Sequence, residues 1–243
     1  MNYYKKFIHK ILISILVLTS NMFANEYYAV VQPVNTYNVK SSVSGTVVDA
    51  YTKLESKIAK NNYIVKIDTK IDRIDLQQSQ IKLDNLKEIL KIENGTLKSF
   101  NKVSSKSKFD KDNQQIKVLN IVSNISDMKI KVSTLKDRIS KKNIKVNNLY
   151  ISNISVRKGD YVNPGTLLYT AYDLKQAKLE IFVPIKDAHI LKEKTIYIND
   201  KKTNLKINKM YNVADSKHIS SYKCEIILNK PTKFSEVLKV SFK

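Results

Sequence analysis

The feature that most constrains this chain is a long interior stretch with no proline and almost no glycine. Residues 71–146 hold one glycine, and all four prolines of the 243-residue chain lie outside it, at positions 33, 164, 184 and 231. Proline breaks helices and glycine weakens them, so their joint scarcity favours long helices. Extended helical elements are therefore expected, rather than a compact, loop-rich enzyme.

Two lines of mostly apolar residues cross this stretch in alternating steps of three and four. One line consists of Leu76, Ser79, Leu83, Leu86, Leu90, Glu93, Leu97 and Phe100; the other of Val118, Ile121, Ile125, Met128, Val132, Leu135 and Ile139. Two such seams, separated by the polar segment 104–108, are typical of helices that pair as a coiled coil. We predict an antiparallel coiled-coil α-hairpin over residues 69–146, with helices of about 30 residues and about 45 Å each.

The seams allow two pairings that differ by one heptad. One places Leu97 opposite Ile121 and Phe100 opposite Val118; the other places Leu97 opposite Gln114 and Phe100 opposite Lys111. The first is favoured because apolar residues then meet apolar residues, and it puts the bend near Phe109.

The helix starts carry capping signals. Thr69 and Asp72 resemble a capping box for the first helix, and Asp110 or Asp112 is expected to cap the second.

The segments that flank the hairpin resemble each other. Each has a strand, a turn, an apolar residue, a second turn and a strand, and a shift of 104 residues lays Ile58 on Val162 and Ile64 on Leu168. An internal repeat that is interrupted by an insertion predicts one β domain cut open by the hairpin. Several alternating stretches after residue 175 predict further strands.

The string Gly159-Asp160-x-Val162-x-x-Gly165-x-x-Leu168 resembles the second half of a lipoyl (biotinyl-like) domain. Lipoyl halves split by a coiled-coil hairpin resemble the HlyD-like periplasmic adaptors, also called membrane fusion proteins. The resemblance covers residues 30–243. It implies an elongated α+β fold: lipoyl-like halves at 25–68 and 147–174, the hairpin at 69–146, and a small β-barrel domain at 175–243.

The resemblance also implies a function. Adaptors link an inner-membrane transporter, of the RND or ABC type, to an outer-membrane TolC-like channel, and they assemble as a ring such as a hexamer. The hairpin tip would contact the channel through Val103, Ser104, Ser105, Lys106, Ser107, Lys108 and Phe109. This chain departs from the family because its tip lacks the Arg-Leu-Ser motif, and Glu55-Ser56 replaces the first Gly-Asp.

The N-terminus predicts export. Three lysines precede the apolar run 11–18, which is too short to span a bilayer, so residues 1–24 are expected to be a signal peptide. An uncleaved N-terminal anchor is the alternative. The chain is therefore expected in the periplasm, associated with the inner membrane. Its single cysteine, Cys224, is expected to be a buried strand residue.

The charge pattern and the chemical motifs exclude several classes of protein. The net charge is +21, but arginine occurs only at positions 73, 138 and 157, which disfavours nucleic-acid binding. The histidines lack metal-ligand spacing, and no phosphate loop or nucleophile motif occurs, so neither enzymatic activity nor a cofactor or metal is expected.

Two alternative functions stay open. A free-standing basic coiled-coil protein of the periplasm would bind acidic envelope components. A carrier subunit would need a modified lysine. Lys129, in Met128-Lys129-Ile130, resembles a biotin acceptor, but it lies on a predicted helix rather than on a hairpin turn.

Overall fold

A computed structural model describes residues 25–243, and these residues form two compact units. One unit comprises residues 37–172; the other joins residues 25–36 to residues 173–243. The predicted signal peptide, 1–24, lies outside the described residues. Within 25–243, no helix is both long enough and apolar enough to cross a membrane.

Within residues 25–243, the regular elements are three α-helices, two 3-10 helices of three residues each, and sixteen strands. The helices are α1 (Lys70–Lys102), α2 (Lys108–Lys141) and α3 (Ala188–Leu191). The strands are β1 (Asn25–Val30), β2 (Gln32–Pro33), β3 (Thr36–Lys40), β4 (Gly45–Ala50), β5 (Lys57–Ala59), β6 (Asn62–Ile67), β7 (Asn143–Val146), β8 (Leu149–Ile154), β9 (Tyr161–Val162), β10 (Leu167–Tyr172), β11 (Gln176–Pro184), β12 (Ile196–Ile198), β13 (Lys201–Lys202), β14 (Ile207–Met210), β15 (Ser221–Asn229) and β16 (Val237–Phe242).

Helices α1 and α2 form an antiparallel hairpin joined by the five-residue turn 103–107. The predicted seams are confirmed by burial. The buried seam residues are Leu83, Val118, Ile121, Ile125, Val132 and Leu135. Four partly buried residues, Leu76, Leu86, Leu90 and Met128, pack against the cluster of Leu83, Ile121, Ile125 and Val132. With 33 and 34 residues, each helix is about 50 Å long.

The register that the sequence favoured is wrong, and the alternative, one heptad away, is the one observed. Glu93 lies beside Gln114 and Lys117, and Asp72 lies beside Arg138 and Lys142. The physical reason is the turn, since a bend at residues 103–107 brings Leu97 level with Gln114. The expected bend near Phe109 is replaced by the first turn of α2.

The expected helix caps are also wrong. Ser107 caps α2: its hydroxyl accepts a hydrogen bond from the Asp110 N–H at 3.1 Å, and the Asp110 carboxylate accepts one from the Ser107 N–H at 3.3 Å. At the start of α1, the Lys70 N–H donates to Asp68 Oδ1 at 2.8 Å. Thr69 makes no side-chain cap, because its hydroxyl accepts from Arg73 Nε instead.

Two four-stranded sheets hold the base of the hairpin, and they repeat one pattern. Their strand orders are β3-β10-β8-β5 and β7-β6-β4-β9, so each sheet mixes strands from before and after the hairpin. One core contains Val47, Ile64 and Ile67 from the first flank together with Ile151, Ile154 and Leu168 from the second. The hairpin is therefore inserted into a single β unit whose two halves come from distant parts of the chain.

One detail of the predicted repeat fails. The repeat aligns Ile64 with Leu168 and Ile58 with Val162, so all four should be buried. Ile64, Leu168 and Val162 are buried, but Ile58 is 53% exposed. Ala59 takes the inward position instead. Strand β5 is only three residues long and alternates faces, so a one-residue offset exchanges the inner and outer side chains.

The second unit also contains two four-stranded sheets, ordered β1-β16-β12-β13 and β14-β15-β11-β2. Its core includes Leu179, Ile181, Ile226, Phe242 and the free thiol Cys224, which confirms the predicted buried cysteine. Burial raises the pKa of that thiol to about 11, so it stays protonated and unreactive near neutral pH.

The predicted start of the split β domain, at residue 25, is wrong. The sequence predicts that residues 25–36 belong to the split β domain, but β1 pairs along its whole length with β16, from Asn25 opposite Phe242 to Val30 opposite Val237. The two strands are separated by about 200 residues of chain, so no local pattern could connect them.

Candidate partner-binding tip of the hairpin

The tip of the hairpin is a five-residue turn between α1 and α2. The Val103 N–H donates to the Phe100 carbonyl and the Lys106 N–H to the Val103 carbonyl, each at 3.4 Å. Lys106 Nζ lies 4.5 Å from the centre of the Phe100 ring, a cation–π contact. With Ser107 capping the next helix, these contacts hold the turn in one conformation.

The seven residues predicted for the tip lie together. Val103–Ser107 form the turn, and Lys108 and Phe109 begin α2. Phe109 is 73% exposed and Val103 45% exposed, so two apolar side chains face solvent at the tip. Residues 98–112 also contain five lysines and two aspartates, so the apolar spot has a basic surround. This combination suits a partner surface with apolar and acidic groups.

A polar layer crosses the seam below the tip. Gln114 Nε2 donates to Glu93 Oε2 at 2.7 Å and to the Glu93 carbonyl at 3.0 Å, and Lys117 Nζ lies 2.5 Å from Glu93 Oε1. The Lys117 ammonium, followed by the Gln114 amide, lowers the pKa of Glu93. The carboxylate thus stays charged and joins the two helices at one height.

A second ion cluster joins the helices at the base. Asp72 Oδ2 lies 2.6 Å from Lys142 Nζ, and Asp72 Oδ1 lies 3.3 Å from Arg138 Nη1. The side chains of Asp72 and Lys142 are only 8% and 13% exposed. Burial by itself raises the pKa of Asp72, but hydrogen bonds and charge from Lys142 and Arg138 outweigh it, so the net pKa is lowered.

Gly45 brings the base of the hairpin close to the sheet. It adopts a φ of +153°, and a Cβ built there would lie 2.6 Å from Ile67 Cγ2 and 3.7 Å from Lys142 Nζ. Only a residue without a side chain fits between Ile67 and the Asp72–Lys142 pair.

The sequence interpretation missed both ion clusters, although a signal for them was present. Asp72 and Lys142 continue the heptad seams at their base ends, and Glu93 and Gln114 occupy seam positions. Charged residues on a seam need a partner across it, so the pairs could have been sought directly. Among residues 25–243, no group of histidine, cysteine, aspartate and glutamate could hold a metal ion.

Comparison with known proteins gives matches by structure only; no protein-family model and no curated protein sequence matches the chain. The membrane fusion protein Spr0693 of Streptococcus pneumoniae R6 aligns with a TM-score of 0.70 and 10% identity, over 90% of this chain and 98% of that one. MacA of Actinobacillus actinomycetemcomitans aligns with a TM-score of 0.64 and 18% identity, over 90% and 78%. The chain has the fold of the membrane fusion proteins.

A third match extends this comparison to the hairpin. A MacA-MexA chimera that contains the α-hairpin domain of Pseudomonas aeruginosa MexA aligns with a TM-score of 0.68 and 18% identity, over 90% of this chain and 81% of that one. The resemblance drawn from the sequence is thereby confirmed for the fold. In this membrane-fusion fold, the tip of the α1–α2 hairpin is the candidate site for a partner.

Proposed function

We propose that this chain is a non-enzymatic periplasmic adaptor that links an inner-membrane transporter to an outer-membrane TolC-like channel in an efflux or secretion system. The observation that carries the proposal is the hairpin: two helices of about 50 Å project from a β unit that they bisect. A rod of this length places its tip far from its base, as a link between two membranes requires.

The contacts within the hairpin support a mechanical role. The Asp72 cluster fastens the base, the Glu93 layer joins the helices near the tip, and the Ser107 capping box fixes the turn. Each constraint limits bending or sliding of one helix along the other. An adaptor needs this stiffness, because a contact made at the tip must hold a fixed distance from the base.

We assign a different role to each of the two units of the chain. The lipoyl-like unit and the hairpin would build the conduit, and the β-barrel unit would dock on a transporter of the RND or ABC type. Residues 103–109 would contact the channel through exposed Phe109 and Val103 and through the surrounding lysines. Several copies would surround one channel as a ring.

The proposal is tested by photo-crosslinking in cells. A crosslinker replaces Lys106 at the tip, and the matched control carries it at Lys87, an exposed position in the middle of α1. We expect position 106 to capture an outer-membrane channel and position 87 to capture none. Absence of any channel from the position 106 products would refute docking through the tip.

A further inference from the structure

The second unit, which joins residues 25–36 to residues 173–243, contains a cavity of about 430 Å³ that is lined by lysines. Its walls come from the chain that follows α3, from β12, and from the segment that links β13 to β14. Glu193 is the one acidic residue in its lining, against four basic ones, so the lining carries a net charge of +3. The basic residues are Lys192, Lys194, Lys202 and Lys206. We call this space the lysine cavity.

The fold brings these lysines together from two stretches of chain. Strands β12 and β13 form a hairpin that turns at Asn199-Asp200, where both residues have a positive φ, a conformation that Asn and Asp tolerate. The hydroxyl of Thr203 then donates to the Ile196 carbonyl at 2.7 Å, which holds the segment after β13 beside the start of β12. Lys194 and Lys202 therefore line the same cavity although eight positions separate them in the chain.

Lys194 differs from the other half-buried lysines of this unit because no carboxylate lies beside it. Lys178, Lys223 and Lys239 are half-buried as well, and each lies 2.6–3.8 Å from a carboxylate oxygen. Lys194 makes no ion pair with any residue in 25–243, and the three exposed lysines of the cavity make none either. A charge that is partly removed from water normally needs an opposite charge nearby. The lysine cavity therefore suits an anion that another molecule supplies.

Two uncharged side chains add hydrogen-bond donors to the lining. Thr195 and Asn204 both line the lysine cavity, and neither side chain makes a hydrogen bond to the part of the chain that the structure describes. Ammonium groups only donate hydrogen bonds, and hydroxyl and amide groups are able to donate them. A phosphate group, whose several oxygens accept hydrogen bonds, matches this set of donors, whereas a cation does not.

A second cavity, of about 310 Å³, shares part of its wall with the first. Thr203 and Leu205 line both cavities. The apolar residues that line the second cavity come from both sheets of the unit and from the segments that cross between the sheets: Val31, Ile198, Leu205, Leu228 and Leu238. Residues 229–233 and Glu236 complete its lining. We call this space the apolar cavity.

The chemistry of the two cavities limits what can occupy both. Each has a volume within the range of about 300–1,000 Å³ that is typical of ligand pockets, which are common in the mouths of β-barrels. An inorganic anion would use the lysine cavity alone. An uncharged lipid would leave the four ammonium groups without a partner. An anionic group that is attached to an alkyl chain uses both cavities.

We propose that the two cavities bind an anionic amphiphile, with a phosphate group among the lysines and an alkyl chain in the apolar cavity. Two sources supply this chemistry: a phospholipid of the membrane and a free single-chain amphiphile. Asn25 and Ile196 both pair with Phe242, so residues 1–24 join the unit at the end that carries the lysine cavity. This inference stands apart from the adaptor function, because it concerns neither the hairpin nor its tip.

Calorimetric titration of the full-length chain with dodecyl phosphate, below its micelle concentration, tests the site. We expect saturable binding of a single dodecyl phosphate per chain. Lys194→Gln with Lys202→Gln should weaken binding at least about tenfold, because each lysine supplies a charged hydrogen bond. The matched control, Lys186→Gln with Lys209→Gln, removes the same charge at exposed positions outside both cavities and should bind like the native chain. Equal weakening in the two variants, or no binding to the native chain, would overturn the proposal.

Three further ligands test the head and the chain of the amphiphile separately. Hexyl phosphate should bind at least about tenfold more weakly than dodecyl phosphate, because it buries fewer methylene groups. Inorganic phosphate should bind more weakly still. Dodecyltrimethylammonium, which has the same alkyl chain and a positive head, should not bind. The proposal fails if inorganic phosphate binds as tightly as dodecyl phosphate, or if the cationic detergent does.

Vesicles separate the two sources of the ligand. Flotation of the chain with phosphatidylglycerol vesicles but not with phosphatidylcholine vesicles, lost in Lys194→Gln with Lys202→Gln, would assign the site to a membrane phospholipid. Binding of dodecyl phosphate without this selectivity for vesicles would assign it to a free amphiphile. Both lysine variants leave the tip intact, so capture of the channel from position 106 tests the adaptor function independently.

Discussion

At the scale of single residues, the hairpin depends on groups that are costly to bury and are therefore paired. Asp72 is the main example, since its carboxylate is buried between Lys142 and the more exposed Arg138. Removing one member of a buried pair leaves the other charge uncompensated, which usually costs more than the pair itself contributes. The effect should be large at Asp72 and small at surface pairs.

Asp72→Asn is expected to lower the free energy of unfolding of the hairpin by about 3–5 kcal/mol, because Lys142 stays buried without its carboxylate. Urea unfolding followed by circular dichroism at 222 nm measures the loss. The control is Asp84→Asn, which removes the exposed pair with Lys87 and should change stability by less than about 1 kcal/mol. Equal effects of the two substitutions would contradict the assigned role of Asp72.

The ion pairs of Asp72 should also make the stability of the hairpin depend on pH. The pKa of Asp72 is lowered in the folded chain, so its contribution is fully present above the ordinary aspartate pKa of about 3.9. The contribution is lost as the pH falls from there through the lowered value, because the unfolded chain then binds the proton more readily. The stability gap between the native chain and Asp72→Asn should therefore shrink as the pH falls below about 4.

Two glycines make a second test at this scale. Gly45→Ala places a methyl group 2.6 Å from Ile67 Cγ2 at a φ of +153°, and we expect it to destabilise by about 1–3 kcal/mol. Gly95→Ala lies in α1 with nothing within 4 Å of the added Cβ, and should stabilise by about 0.5–1 kcal/mol. Thermal unfolding of both variants checks the opposite signs; a Gly45→Ala chain as stable as the native one would refute the close approach at Gly45.

At the scale of elements, the seams of the helices were predictable, and their register was not. The heptad lines identify Leu83, Ile121 and Ile125 as buried from spacing alone. Apolar matching alone favours the other register, because it treats Gln114 in the seam as a defect. In the structure Gln114 donates to Glu93 and Ser107 fixes where α2 begins, so turn geometry and a satisfied polar layer outweigh apolar matching.

The register itself can be tested with paired cysteines in a Cys224→Ala background. Ser79 and Val132 are buried seam residues that face each other in the observed register. Ser79→Cys with Val132→Cys is expected to form an intramolecular disulfide on oxidation, visible as faster migration on a non-reducing gel. Leu83→Cys with Leu135→Cys pairs only in the other register; preferential oxidation of this pair would refute the observed one.

At the scale of the whole molecule, the sequence predicted the interrupted β unit because its repeat is local: each half carries its own strand and turn pattern around residues such as Ile64 and Leu168. It did not predict that β1 belongs with β16, since pairing between the ends of a chain leaves no periodic signal. The sequence also predicted which seven residues lie at the hairpin tip. It did not predict the contact between Phe100 and Lys106 or the helix cap at Ser107, which the structure shows.

The proposed adaptor function makes its most direct prediction at Phe109, where the effect on stability and the effect on partner binding can be measured separately. Its ring is 73% exposed, and an acidic residue near the start of α2 suits the helix dipole, so Phe109→Asp should change stability by less than about 0.5 kcal/mol. The same substitution removes the apolar centre of the tip and places a negative charge in its basic surround. Channel crosslinking from position 106 should therefore fall at least about tenfold, which is the loss expected when a central apolar contact is removed. The control, Phe109→Leu, keeps an apolar side chain and should retain most of the crosslinking. Unchanged capture by a folded Phe109→Asp chain would exclude Phe109 from the docking surface and leave the tip lysines as its main candidates.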